Sequence, residues 1–313
     1  MLKEKCILIT GGAGAIGSGL ANRLVQLNKV IVLDDLSSGF RSNLSKEVVF
    51  FNGSVLDDRI LSEVFRNKPE IVFHMACLFA NQNSVDHPFK DLEVNGIGTL
   101  KVLQHAQKNR VERLVFASSS CVYGNSNGPL SETGLDFKPD TPYAITKLLG
   151  ERYVTFFSKF YGLPTIILRY FNSYGPGEYP GKYRNVIPNF FAKALKAKPL
   201  PITGIGKETR DFNYVSDTVD ATIRASYASK AIGEIFNVGS GKETKIIDLA
   251  NKINEITGNK AGLEFREKRK WDLVLKRLAN IEAAKSVLGY VPKVSLVDGL
   301  LMTYKWFLEN KVI

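Results

Sequence analysis

The stretch from Lys5 to Gly17, KCILITGGAGAIG, predicts a strand, a glycine-rich turn and the start of a helix. Its glycines at Gly11, Gly14 and Gly17 are spaced as G-x-x-G-x-x-G. In a phosphate-binding turn, one glycine permits the tight turn, one lets the backbone approach a diphosphate, and one lets the helix pack close to the strand. The diphosphate then lies on the free N–H groups of the helix, which here begins around Ala15 and Ile16. We therefore predict that residues 11–17 bind a dinucleotide.

An acidic pair follows the next predicted strand. The apolar run Val30–Leu33 ends in Asp34 and Asp35, about 20 residues after the glycine loop. A carboxylate at this distance bonds the ribose hydroxyls of NAD, and it repels the 2′-phosphate of NADP. The alternative is a glycine turn followed by a solvated acidic pair, with no cofactor. The combination of loop and acid favours NAD.

The composition is typical of a globular enzyme. The 313 residues are 44% hydrophobic with a mean hydropathy of −0.06, which is enough for a full core in one or two domains. No apolar run approaches the roughly 18 residues that span a membrane, and the N-terminus lacks the pattern of a signal peptide. Three cysteines and three histidines at uneven spacing predict free thiols and no metal site. We therefore expect a cytoplasmic protein.

The formal net charge is +11. Basic residues are spread along the chain, and the one dense cluster is Arg266–Lys270 with Lys276 and Arg277. No nucleic-acid-binding motif accompanies this charge, whereas a positive surplus also steers anionic small substrates. We therefore predict a small anionic substrate and no nucleic-acid partner.

Strand and helix patterns alternate through the first half of the chain, which predicts an α/β fold with a doubly wound parallel sheet. The predicted strands are Val48–Phe51, Ile71–Met75, Leu114–Ala117 and Thr165–Leu168, and the predicted helices are Asp57–Arg66, Asp86–Lys108 and Pro142–Tyr161. Ligands of such sheets bind beyond the carboxyl ends of the strands. The chemistry-bearing motifs described next all fall at such ends, or on the helix that follows.

The amino-acid composition changes after Arg169, where Gly, Pro, Tyr and Asn become frequent. We predict a Rossmann domain over residues 1–172, to which residues 213–241 return through a strand at Glu234–Val238. Residues 173–313 are predicted to form a smaller C-terminal substrate-binding domain. Its helical patterns are Val186–Lys196, Ile246–Thr257, Ile281–Leu288 and Val297–Leu308, with a further helix at Val215–Ser229.

Tyr143 and Lys147 stand in the sequence TPYAITK. Thr141 is a suitable N-cap and Pro142 suits the first helical position, so the tyrosine and lysine are i and i+4 on one helix face. A neighbouring ammonium lowers the pKa of a phenol towards the range of a general base. The alternative is an exposed pair on a helix surface. Downstream of a dinucleotide loop, we favour catalysis.

A serine-rich segment, Ser118–Ser120, follows the predicted strand Leu114–Ala117. A hydroxyl at the end of the sheet can share a hydrogen bond with a substrate hydroxyl and with Tyr143. The alternative is an ordinary serine-rich turn.

These motifs resemble those of the extended short-chain dehydrogenase/reductases, specifically the nucleotide-sugar epimerase/dehydratase family, of which UDP-galactose 4-epimerase is the best-known type. The matching segments are the glycine loop with Asp34, His74-Met-Ala, Asn95 with Gly98-Thr99, and the catalytic group Ser119, Tyr143 and Lys147. Ser119 is chosen because the family's hydroxyl residue lies four residues before the tyrosine of V-Y-G, here Tyr123. The resemblance implies cofactor contacts from Ser54, Val55, Asn95 and Ser118, in addition to the loop, the acids, Tyr143 and Lys147.

The substrate half of the family is matched as well. Arg169-Tyr-Phe-Asn172, Asn185-Val186-Ile-Pro and Arg210-Asp-Phe-Asn-Tyr-Val resemble its nucleotide-sugar-binding segments. The resemblance implies that Asn172 contacts the diphosphate and that Arg210 and Arg269 bind phosphate. A guanidinium fork suits that role, although each arginine has the alternative of a surface charge. The implied substrate residues are Ser119, Ser120, Cys121, Asn172, Asn185, Val186, Arg210, Arg269 and Arg277.

Two positions bear on the reaction. Dehydratases and decarboxylases of the family commonly carry glutamate where this chain has Cys121, and its absence removes an acid–base group that water elimination needs. Arg277, in contrast, stands where several UDP-glucuronate decarboxylases carry arginine, so it meets either a sugar carboxylate or solvent. The resemblance therefore implies an NAD-dependent 4-epimerase acting on a UDP-hexose, with decarboxylation or 4,6-dehydration as the alternative.

Two further expectations remain. A non-catalytic dinucleotide sensor is the alternative from another class, and the presence of both Tyr143 and Lys147 disfavours it. Family resemblance also implies a homodimer packed through the predicted helices Asp86–Lys108 and Pro142–Tyr161. The sugar and the base are not determined by the sequence.

Overall fold

The computed structural model describes residues 2–125, 128–133 and 137–312. The outermost residues of the two predicted domains, 1 and 313, lie outside these ranges. Within them, no helix is long and apolar enough to cross a membrane.

A seven-stranded parallel sheet forms the centre of the molecule. In chain order its strands are β1 (Cys6–Thr10), β2 (Lys29–Asp34), β3 (Val49–Asn52), β4 (Ile71–His74), β5 (Arg113–Ser119), β6 (Thr165–Tyr170) and β7 (Ile235–Val238). In space they are ordered β3-β2-β1-β4-β5-β6-β7, which confirms the predicted doubly wound α/β fold. The order reverses between β1 and β4, so a ligand crevice is expected at their carboxyl ends.

Helices cover both faces of the sheet. They are α1 (Ala15–Leu24), α2 (Asp58–Phe65), α3 (Asn81–Asp86), α4 (Pro88–Asp91), α5 (Thr99–Lys108), α6 (Pro142–Tyr161), α7 (Val186–Ala194), α8 (Val215–Tyr227), α9 (Ile246–Thr257), α10 (Glu282–Leu288) and α11 (Leu296–Glu309). Alternating strand residues separate two cores. Ile7 and Ile9 face the core shared with α1 and α8, whereas Leu8 faces the core shared with α2, α5 and α6.

The predicted helix Asp86–Lys108 is interrupted in the structure. Helices α3 and α4 are separated at His87, and a π-helical segment, Leu92–Gly98, precedes α5. Pro88 has no N–H to donate, and it disfavours helical geometry in the residue before it. His87 accordingly has φ −138° and ψ 62°.

The C-terminal part is built from short paired strands and helices. Strand Leu200–Thr203 pairs in parallel with Leu263–Arg266, and Thr209–Arg210 pairs antiparallel with Thr244–Lys245. Parallel pairs also join Ser173–Tyr174 to Asn213–Tyr214 and Pro129–Leu130 to Leu278–Ala279. Side chains of α7, α9 and α11 belong to the same core as α1 and α8. The two parts of the molecule therefore share one core, and the proposed domain limits stay a prediction.

Candidate active site

A cavity of about 320 Å³ opens at the carboxyl ends of the strands, between the sheet and the C-terminal part. The structure brings most of the predicted residues to its wall: Gly11, Gly14, Ala15, Ile16, Gly17, Asp34, Asp35, Ser54, Val55, Ser118, Ser119, Ser120, Cys121, Tyr143, Lys147, Asn172, Asn185, Arg210 and Arg277. A second cavity of about 610 Å³ adjoins it and shares Asn172, Asn185 and Arg210. Val186 and Arg269 line only this second cavity.

The glycine loop has the geometry of a phosphate-binding turn. Gly11 has φ +68°, and a Cβ there would lie 2.5 Å from the backbone nitrogen of Ala76. A Cβ on Gly17 would lie 2.7 Å from Gly12 Cα. At Gly14 the nearest atom, Gly11 O, would be 3.5 Å away. Packing thus requires glycine at Gly11 and Gly17, whereas at Gly14 a Cβ would meet no atom closer than ordinary contact distance.

Asp34 holds this loop in place. Its Oδ2 accepts a hydrogen bond from Ala13 N and its Oδ1 one from Leu36 N, each at 2.8 Å. The residue is 8% exposed, and burial raises the pKa of its carboxyl, while the two backbone hydrogen bonds lower it. Asp34 is therefore not the solvated acid of the alternative interpretation. Each oxygen still has lone-pair capacity for a ribose hydroxyl.

Ser119, Tyr143 and Lys147 lie together at the end of β5. Tyr143 is 4% exposed and Lys147 2% exposed, so they are not the exposed pair of the alternative. Lys147 Nζ donates to Ala117 O at 2.8 Å and lies 5.8 Å from the centre of the Tyr143 ring. Ser119 Oγ accepts from Cys121 N at 3.1 Å, and the Ser119 hydroxyl lowers the pKa of the Tyr143 phenol. The phenol, hydroxyl and ammonium thus share one wall of the cavity.

We expected Lys147 to lower the pKa of Tyr143, but the net shift of that pKa is upward. Burial raises the pKa of the Tyr143 phenol well above its ordinary value, and the charges of Cys77, Cys121 and Asp91 raise it further. The hydrogen bond from Ser119 acts in the opposite direction. Desolvation dominates because the neutral phenol is favoured in a nearly dry site.

Two predicted cofactor residues, Ser118 and Asn95, make hydrogen bonds that hold the cavity wall in place. Ser118 is a residue of β5 itself, and its Oγ donates to Glu151 Oε1 at 2.5 Å, which in turn pairs with the buried Arg169. Asn95 does not line the cavity. Its amide accepts from Leu78 N at 2.8 Å and donates to Leu78 O at 3.2 Å. Asn95 thus fixes the loop after β4, and its contact with the cofactor stays a prediction.

Arg277 lies beside Cys121 near the catalytic group. Its Nη1 donates to Cys121 Sγ at 3.3 Å and its Nη2 to Gly124 O at 3.2 Å. Arg277 is 5% exposed, and its Nε is buried without a hydrogen-bond partner among the described residues. The surface-charge alternative is wrong for this arginine.

The other two predicted arginines differ from each other. Arg210 is largely buried and lies 3.5 Å from the Asp272 carboxylate, and burial followed by the Arg277 charge lowers the pKa of its guanidinium. Arg269 is exposed at the second cavity, with its guanidinium 5.6 Å from the centre of the Trp271 ring. Arg210 can therefore bind an anion where the two cavities join. Arg269 can bind an anion only in the second cavity.

Three carboxyls on the cavity wall were not predicted, those of Asp140, Glu178 and Asp272. Asp140 lies three residues before Tyr143, and burial raises the pKa of its carboxyl while Arg277 lowers it. Asp140 directly precedes Thr141-Pro-Tyr143, and this position could have indicated that it belongs to the site. Glu178 is 6% exposed, and burial raises its pKa to about 7. Nothing in its glycine- and proline-rich surroundings singled it out.

Fold and site together define a dinucleotide-dependent enzyme of the extended short-chain dehydrogenase/reductase class. The chain belongs to the NAD dependent epimerase/dehydratase family, whose sequence model matches residues 7–239. A solved epimerase from Methanothermobacter thermautotrophicus is 48% identical, with a TM-score of 0.97 over 99% of this chain and 94% of that one.

Two further relatives differ in the reaction that their names give. The solved UDP-glucose 4-epimerase of Thermotoga maritima with UDP-glucose is 36% identical, with a TM-score of 0.94 over 97% of this chain and 99% of that one. The UDP-N-acetyl-alpha-D-glucosaminuronate decarboxylase of Bacillus cytotoxicus is 35% identical over 98% of this chain and 99% of its own. Similarity alone therefore does not decide the reaction.

NAD is the cofactor of this family, and the site residues fit it. The uncrowded Cβ position of Gly14 and the uncapped N–H groups of α1 suit a diphosphate, and Asp34 and Asp35 line the cavity at the ribose end. Within residues 2–125, 128–133 and 137–312, no group of three His, Cys, Asp or Glu side chains is arranged to hold a metal ion.

Proposed function

We propose that this protein is an NAD-dependent nucleotide-sugar 4-epimerase acting on a UDP-hexose. The observation that carries the proposal is the burial of Ser119, Tyr143 and Lys147 on one wall of the cavity whose other wall is the glycine loop. Arg210, at the junction with the second cavity, supplies the guanidinium for the substrate diphosphate.

The side chains divide the chemistry between them. Bound NAD supplies a reversible hydride acceptor. In its phenolate form, Tyr143 Oη would take the proton of the sugar C4 hydroxyl, and Ser119 Oγ would share that hydrogen bond and orient the resulting 4-keto oxygen. Lys147 Nζ, already ordered by Ala117 O, holds the cofactor ribose. Inversion requires the keto sugar to present its other face before the C4–H bond forms again.

A decarboxylase is the second candidate, and Arg277 favours it. A buried guanidinium with an unpartnered Nε beside the catalytic group suits a carboxylate on the sugar. Asp140 also places a carboxyl in the cavity, which partly replaces the acid–base group absent at Cys121. The decarboxylase from Bacillus cytotoxicus is consistent with this candidate. A 4,6-dehydratase needs the same acid–base group.

Product analysis distinguishes these reactions. Purified protein is incubated with UDP-glucose, UDP-N-acetylglucosamine or UDP-glucuronate without added NAD, and the products are examined by mass spectrometry and proton NMR. A product of unchanged mass with an inverted C4 supports the epimerase and identifies its substrate. A product lighter by carbon dioxide or water contradicts it in favour of the decarboxylase or the dehydratase.

We further propose a cytoplasmic homodimer. The three cysteines are free thiols, which suits a reducing compartment. Large apolar side chains are exposed on α4 and α6: Phe89 is 84%, Phe160 70% and Ile145 53% exposed. Faces of this kind on neighbouring helices are typical of subunit interfaces.

A further inference from the structure

Glu178 is a buried carboxyl on the cavity wall that the proposed reaction does not use. Only 6% of the residue is exposed, and its Oε1 accepts a hydrogen bond from Asn185 Nδ2 at 2.9 Å. Its Oε2 is buried and has no hydrogen-bond partner among the described residues. A buried oxygen without a partner is costly, so this oxygen points to a bound ligand.

The position of Glu178 indicates which part of a ligand it meets. The preceding residue, Gly177, packs on the start of α1: a Cβ built there would lie 3.2 Å from Ala15 Cα and 3.4 Å from Ser18 Oγ. The free N–H groups of that first turn form the diphosphate site. Glu178 therefore borders the place where the cofactor diphosphate lies.

A carboxylate beside a diphosphate is repulsive, so the charge state of Glu178 matters. Burial raises the pKa of this carboxyl to about 7, and the charge of Arg184 and the hydrogen bonds from Asn185 lower it. Arg184 is the charged group that faces Glu178, and it also donates to Ser38 O. A bound diphosphate adds negative charge and therefore raises the pKa of Glu178 further.

We propose that Glu178 is protonated when the cofactor binds and that its carboxylic O–H donates a hydrogen bond to a phosphate oxygen at the first turn of α1. On cofactor binding, the Glu178 carboxylate takes up one proton from solvent. This forms its O–H bond, and no other covalent bond changes. The inference depends on the NAD site and not on whether the reaction stops at epimerisation, so it can fail while the proposed function holds.

The test is calorimetric titration with NAD. Full-length protein stripped of dinucleotide is titrated at pH 6 and pH 8 in buffers of different ionisation enthalpy. With a free-protein pKa of about 7, binding should take up about 0.1 proton at pH 6 and about 0.9 at pH 8, and NAD affinity should be about tenfold weaker at pH 8. Glu178→Gln keeps a donor without a titrating group, so its affinity should be independent of pH with no proton uptake.

A matched control and a second titration sharpen the result. Glu132 is another carboxyl whose pKa burial raises, and it does not line either cavity, so Glu132→Gln should keep the full proton uptake. NAD-loaded protein titrated with UDP tests the other phosphate source. Proton uptake with UDP alone would overturn the assignment to the cofactor and move it to the sugar nucleotide.

Two other outcomes would overturn the proposal. Absence of proton uptake in both titrations would show that Glu178 does not change its charge. Tighter NAD binding at pH 8, with weakened binding in Glu178→Gln, would show an ionised carboxylate that accepts from a ribose hydroxyl. The sign of the proton change and the pH dependence of NAD affinity are both measured on the wild-type protein, so the test survives a variant that fails to fold.

Discussion

Tyr143 is the residue on which the proposed chemistry depends. Its replacement by phenylalanine keeps the ring in its pocket and removes only the phenolic oxygen. We expect turnover to fall by about 10²–10⁴-fold while NAD stays bound, as measured by product formation and by the ultraviolet spectrum of the purified protein. Tyr161→Phe, at an exposed tyrosine of the same helix, is the matched control. Near-normal turnover of Tyr143→Phe would contradict the mechanism.

The pKa of Tyr143 leads to a prediction about pH. Because burial raises that pKa well above its ordinary value, the phenolate fraction is small at neutral pH. As long as the pH stays below the pKa, this fraction increases about tenfold with each unit rise in pH. We therefore expect kcat/KM, measured with the NAD-loaded enzyme, to rise with pH through the neutral range. A profile that is flat, or that falls as pH rises, would show that Tyr143 is not the base.

Arg277 separates the two candidate reactions. Its guanidinium is buried without an ion pair among the described residues, and a charge-assisted hydrogen bond to a substrate carboxylate contributes about 1.5–3 kcal/mol. If the substrate is a uronate, Arg277→Gln should lower kcat/KM for UDP-glucuronate roughly 10–100-fold and leave UDP-glucose much less affected. The same change at Arg59, an exposed arginine of α2 that lines neither cavity, serves as the control. Equal losses for both sugars would remove the case for a carboxylate.

The residues that sequence analysis placed correctly in the cavity are those defined by local spacing. Tyr143 and Lys147 are one helical turn apart whatever surrounds them. The sequence did not show that the Asn95 amide bonds to Leu78, a contact across 17 residues. Glu178 was missed because its burial depends on tertiary packing, such as that of its neighbour Gly177 against α1. Burial and partner choice are tertiary properties, and a single sequence does not contain them explicitly.

At the scale of elements, the glycine loop allows a paired experiment. Gly14 has φ −73° and a Cβ there would meet only Gly11 O, at 3.5 Å, whereas a Cβ on Gly17 would lie 2.7 Å from Gly12 Cα. Gly17→Ala should therefore destabilise the free protein by roughly 1–3 kcal/mol. Gly14→Ala should leave the Tm of the free protein unchanged and weaken NAD binding at least about tenfold, because the methyl group occupies the diphosphate space. Thermal unfolding with and without NAD measures both.

Sequence patterns predict the presence of a strand better than they predict where it ends. Apolar periodicity located every strand of the sheet, since buried parallel strands are continuous apolar runs. It ended β5 at Ala117, although Ser118 and Ser119 continue the pairing opposite Arg169 and Tyr170. Ser118 is buried here because Glu151, which is itself paired with Arg169, accepts its hydrogen bond. That compensation comes from α6 and β6, so no local pattern predicts it.

At the scale of the whole molecule, the exposed apolar side chains of α4 and α6 test the proposed dimer. Phe160 is 70% exposed, and a charge there would be desolvated in a subunit interface. We expect Phe160→Glu to shift the protein from dimer to monomer in light scattering. Phe265→Glu, at an exposed phenylalanine of the C-terminal part, should leave the mass unchanged. A monomeric wild-type protein would exclude the dimer.

The pairing of β7 with β6 has a consequence for the order in which this protein is made. Residues 171–234 leave the ribosome between the two strands, so β6 is an open edge during that interval. Open edges recruit strands from other chains. A truncated chain that ends near residue 172 and has left the ribosome should therefore aggregate, whereas one that includes residue 241 should not. Translation speed through this segment then matters for yield, although none of the catalytic residues lies within it.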